Sequence, residues 1–80
     1  MRPISEIARD IKNDWSKLGK GVSPYAKPYL DAMHALNSIN DNYYQDSADS
    51  VIRYFLANAS TWRGEKAKEI KKELKSLLQY

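Results

Sequence analysis

Residues 3–19 read PISEIARDIKNDWSKLG, and this stretch decides the fold class. Ile4, Ile7, Ala8, Ile11, Trp15 and Leu18 recur at spacings of three and four, which lays them along one stripe of an α-helix. Glu6, Arg9, Asp10, Asn13 and Lys17 fall on the other side. Pro3 suits the first turn, where its missing N–H costs nothing. Gly19 and Gly21 follow, and glycine readily takes the left-handed conformation that stops a helix. The spacing predicts an amphipathic helix over 3–19 whose stripe faces a core.

Outward from this helix, residues 19–27 form the only obvious linker. Gly19-Lys20-Gly21 lacks the spacing of a phosphate loop and follows no predicted strand. Pro28 inside a helix would clash with the carbonyl of residue 24, so residues 23–27 read as a turn and a second helix starts at Pro28. Its stripe is Tyr29, Ala32, Met33, Leu36, Ile39 and Tyr43. Asn40-Asp41-Asn42 are poor helix formers, so this helix either frays at Ile39 or reaches about Tyr43. The periodicity favours the longer form, 28–43.

Asp46 or Ser47 then caps a third helix, with Asp49 near its positive end. Ala48, Val51, Ile52, Phe55, Leu56, Ala59 and Trp62 cover nearly half its circumference, and so apolar a helix is expected at the centre of the fold. The last helix, 64–78, has Ala67, Ile70, Leu74, Leu77 and Leu78 inside. Glu65, Glu69 and Glu73 line one flank, and Lys68, Lys71, Lys72 and Lys75 line the opposite one. No strand-like alternation is seen. The expected architecture is all-α, a compact bundle or orthogonal array of helices near 3–19, 28–43, 47–60 and 64–78 in one domain, 1–80.

Composition narrows function by exclusion. Apolar residues at 42% and charged residues at 29% place this 80-residue chain among globular proteins. With no cysteine there is no disulfide, and with one histidine a zinc site has too few ligands. No cofactor or metal is expected. The N-terminal stretch has neither a signal-peptide pattern nor an apolar run long enough for a membrane span, which implies a cytoplasmic protein without a membrane partner. So short a chain also leaves room for a homo-oligomer as a source of stability.

Chemistry is equally sparse. His34 sits off its helix stripe beside Asp31, with no cysteine and no G-x-S-x-G serine to pair with it. Asp41, Asp46 and Asp49 lack the glycine and terminal glutamate of a calcium loop, so capping explains them better. A non-enzymatic protein is expected. Net charge is +3, split as +2 over residues 1–40, −2 over 41–62 and +3 over 63–80. That distribution permits, without requiring, a nucleic-acid backbone or an acidic protein at the flank Lys68, Lys71, Lys72 and Lys75, which reads first as a plain solvated face. Against nucleic acid stand the outward glutamates of the same helix.

Protein contacts have other candidates. Leu30 and Tyr44 fall off the stripe of the second helix and, with Tyr54, either make an exposed patch of interface type or are buried in a core whose helix angles the sequence does not give. Trp62 and Arg63, at the Trp62-Arg63-Gly64-Glu65 corner, read two ways. Trp62 extends the apolar stripe of the third helix and so reads first as core, with Gly64 permitting the tight turn. The alternative makes Trp62 and Arg63 an exposed anchor pair.

Pro28-Tyr29-Leu30-Asp31-Ala32-Met33, Tyr54-Phe55-Leu56-Ala57-Asn58-Ala59, Trp62-Arg63-Gly64-Glu65 and the closing Lys-Glu-Leu-Lys run resemble a group of short hypothetical proteins of bacteriophages and integrated bacterial mobile elements. The resemblance covers nearly the whole chain and carries no functional residues with it. It implies a small accessory protein that works by binding a host or phage protein, for example an inhibitor of a host defence protein such as an anti-CRISPR. The competing reading is a small nucleic-acid-binding protein that uses the basic flank of its last helix.

Overall fold

The computed structural model describes residues 2–18 and 21–78. Helix α1 (Ile4–Trp15) buries Ile4, Ile7, Ala8, Ile11 and Trp15, the stripe expected from their spacing. It ends four residues earlier than predicted. A tighter turn succeeds it, in which the N–H of Leu18 donates to the carbonyl of Trp15 at 3.0 Å, and Leu18 leaves the stripe to stand exposed. Gly21 has φ +69, the left-handed backbone expected of it, while Gly19 lies outside the described residues.

Helix α2 (Lys27–Met33) carries Pro28 in its first turn, where no hydrogen bond is lost. Its predicted extension to Tyr43 is overturned, for two reasons that both lie in hydrogen bonding. The carbonyls of Leu36 and Asn37, which a continuing helix would use, accept instead from the N–H groups of Ser5 and Ile4, each at 2.8 Å. These are two of the orphan donors of α1, which has no side-chain cap. In addition, the Asp41 carboxylate accepts from the N–H groups of Asn37 and Ser38 at 2.8 and 3.1 Å. The chain therefore turns, and the start of α1 is satisfied by the segment just beyond α2.

A short hairpin leads from this turn into the third helix. Strands β1 (Asn42–Tyr43) and β2 (Asp46–Ser47) pair antiparallel, Asn42 opposite Ser47 and Tyr43 opposite Asp46. The fold is thus mostly helical with a small two-stranded sheet, and the all-α expectation is corrected to that extent. Ser47 then caps α3 (Ala48–Ala57), its Oγ accepting from the N–H of Ser50 at 3.1 Å. Gly64 starts α4 (Glu65–Leu77) at φ +116 and ψ 176, a backbone state essentially reserved for glycine.

All the described buried side chains are apolar and belong to one cluster. The indoles of Trp15 and Trp62 stack at 5.7 Å and 17°, and Phe55 meets both edge-on at 6.2 and 6.3 Å. Helix α1 lies against α2 and α4, while α3 comes closest to α2 and the hairpin. The third helix meets α2 and both strands, and its Phe55 ring reaches Trp15 of α1 and Trp62 ahead of α4. It buries Ala48, Val51, Ile52 and Phe55 and leaves Arg53, Tyr54 and Ala57 exposed, while α2 buries Leu30, Ala32 and Met33 against α1 and α3 and exposes Lys27, Pro28 and Asp31.

Candidate interaction surfaces

The Trp62–Gly64 corner is built from three elements. The Trp62 indole is fully buried, and its Nε1 donates to Asp14 Oδ2 of α1 at 2.9 Å, so the one polar atom of the ring keeps a partner. Lys71 of α4 reaches back under the corner. Its Nζ donates to the carbonyls of Ala59 and Trp62, both at 2.8 Å, and lies 5.7 Å from the centre of the Trp62 ring. Burial, then the charges of Lys75 and Arg63, holds the Lys71 ammonium below the usual lysine range. Lys71 thus ties the end of α3 to α4, a role the sequence did not reveal.

This geometry divides the residues singled out from sequence. Trp62 and Leu30 (2% exposed) are in the core and present nothing to a partner. Leu30 is off-stripe on an isolated helix, but α2 is packed by both α1 and α3, so positions outside one stripe are covered as well. Lys71 is half-buried and engaged. Arg63, Lys68, Lys72 and Lys75 are exposed, and among the described residues none of the four joins an ion pair. The opposing glutamate flank is partly occupied: the Arg2 guanidinium grips Glu73 at 2.7 and 3.1 Å and also bonds Asp10, which raises its pKa further.

Among the described large hydrophobic side chains Tyr44 is the most open, 86% exposed at the hairpin tip. Its φ is +57, the only positive value on a described non-glycine residue. The ring of Tyr43 meets it edge-on at 4.7 Å. Tyr25, in the turn before α2, is 76% exposed, and Tyr54 on α3 is 54% exposed with Tyr29 of α2 tilted against it at 5.5 Å. Tyr25 is the member that sequence reading missed. Its signal was its place beside Pro24 in a turn, where no core stripe can claim it.

His34 is exposed at the C-terminal end of α2, and neither of the two main clefts, of about 350 and 370 Å³, includes it. Among the described residues no group of three or more His, Asp or Glu side chains is placed to hold a metal ion. No described helix is long and apolar enough to cross a membrane. In comparisons with known proteins, the chain matches no family, no curated protein and no solved structure.

Proposed function

We propose that this chain is a non-enzymatic protein-binding module, and that its contact surface is formed by Tyr44 with Tyr25, Tyr29 and Tyr54. The observation that carries the reading is Tyr44. A bulky residue in left-handed backbone costs about 1–2 kcal/mol, and a hairpin tip would be relieved of that cost by Gly or Asn. The ring it displays lies almost wholly in solvent, so core packing does not account for it. Strain kept where the fold does not need it favours a role outside the fold. Tyrosine is also the residue type that concentrates binding energy at protein interfaces, because it offers a large rigid area with a polar tip.

The partner we propose is a host or phage protein met in a bacterial cytoplasm, with inhibition of a host defence protein as one form of that activity. This context is supported only by the resemblance carried by the Pro28–Met33, Tyr54–Ala59 and Trp62–Glu65 stretches. The test is affinity capture from bacterial lysate with the wild-type chain and a Tyr25→Ser/Tyr44→Ser/Tyr54→Ser variant of unchanged melting temperature. A protein retained by the wild type and lost by the variant is the expected result. Identical retained sets contradict it. Light scattering covers the homo-oligomer: a dimer that the same variant dissociates would make a second copy the occupant, and the 9.2 kDa monomer excludes it.

A further inference from the structure

The tyrosines leave the strongest charged patch of the molecule unused. Lys68, Lys72 and Lys75 lie on one flank of α4, spanning eight residues or about 10 Å of helix axis. Lys71 belongs to the same flank, and Arg63, next to the Trp62 carbonyl that Lys71 binds, is exposed at the corner with its Nε donating to the Ser60 carbonyl at 3.5 Å and its charge felt at Lys71. Glu73 faces away and is held by Arg2, so of the three glutamates of α4 only Glu65 and Glu69 remain exposed beside the patch.

We propose that Arg63, Lys68, Lys72 and Lys75 form a second, separate site that binds the phosphate backbone of nucleic acid without reading its sequence. Two features choose phosphate over an acidic protein. The patch consists of lysine and arginine with no exposed apolar or aromatic member, and lysine is depleted at protein interfaces, whereas counterion release rewards it at a phosphate backbone. Its length of about 10 Å equals the axial rise of about three nucleotides of a duplex strand, at about 3.4 Å each. Base readout is not expected, because the patch has a single Arg and no Asn or Gln to read base edges.

The test is fluorescence anisotropy with a labelled 20-nucleotide strand and the matching duplex, using the whole chain. With three or four phosphates engaged, affinity should fall about 40- to 150-fold for the duplex and about 20- to 50-fold for the single strand between 50 and 200 mM salt, equally for two unrelated sequences. Lys68→Glu/Lys72→Glu/Lys75→Glu should abolish binding while the thermal melt stays in place, and Tyr44→Ser should leave binding unchanged. The last arm keeps the site independent of the tyrosine surface. No binding at 50 mM salt overturns the proposal, as does binding that survives the charge reversal. A polyglutamate peptide of equal charge that binds as tightly as the strand would assign the patch to an acidic protein and also overturns it.

Discussion

Tyr44 and Lys71 show how single residues carry different burdens on surfaces that look alike in sequence. Tyr44→Asn replaces a strained ring by a residue that tolerates left-handed backbone, so stability should rise by about 0.5–1 kcal/mol in chemical denaturation while partner capture is lost. A fall in stability would instead mark Tyr44 as a structural member of its pair with Tyr43. Lys71→Met keeps the aliphatic stem but leaves the Ala59 and Trp62 carbonyls without their donor, at a cost of about 1–3 kcal/mol. Lys72→Ala, one residue away and exposed, should stay within about 0.5 kcal/mol. Equal effects at the two lysines would refute the corner role of Lys71. Sequence placed both lysines on one flank correctly. It could not separate them, because the carbonyls that Lys71 serves lie nine and twelve residues away, at a corner whose path depends on packing.

Elements were legible where their signals were local. The stripe of α1, the Ser47 cap and the glycine before α4 all act within a few residues of the structure they specify. Helix α2 was misread because its end is set from a distance, by Ile4 and Ser5 claiming the carbonyls of Asn37 and Leu36. The hairpin was missed because Tyr44-Gln45 replaces the Asn-Gly or Gly-X pair that announces a two-residue turn. Asp41 is the local half of the device that ends α2. The Ser38 and then the Asn37 backbone N–H groups hold its carboxyl below the usual carboxylate range. Since the folded pKa is the lower one, its stabilisation is present above the ordinary value of 3.8 and is lost as pH falls through the depressed value. Asp41→Ala should therefore lower the melting temperature at neutral pH and flatten the acid limb of the stability profile below pH 3.8. An unchanged acid limb would show that Asp41 does not hold the turn.

At the scale of the whole molecule, the packing sorts the surface into two kinds. One core of apolar side chains, closed by Trp15, Phe55 and Trp62, withdraws Leu30 and Trp62 from the contact candidates. It leaves tyrosines around α2, α3 and the hairpin, and cations along α4 and its corner. Helix periodicity gave the core place of Trp62 and the lysine flank of α4, but not the burial of Leu30 or the exposure of Tyr25, because it fixes faces within one helix and not which neighbour covers them. The central claim is that the tyrosine surface is the one that meets a protein partner. Hydrogen–deuterium exchange of the chain, free and in complex with the captured protein, tests it most directly. We expect new protection over residues 23–29, 43–46 and 53–56 with residues 66–76 unchanged; protection confined to 66–76, or none over the tyrosine segments, would contradict it.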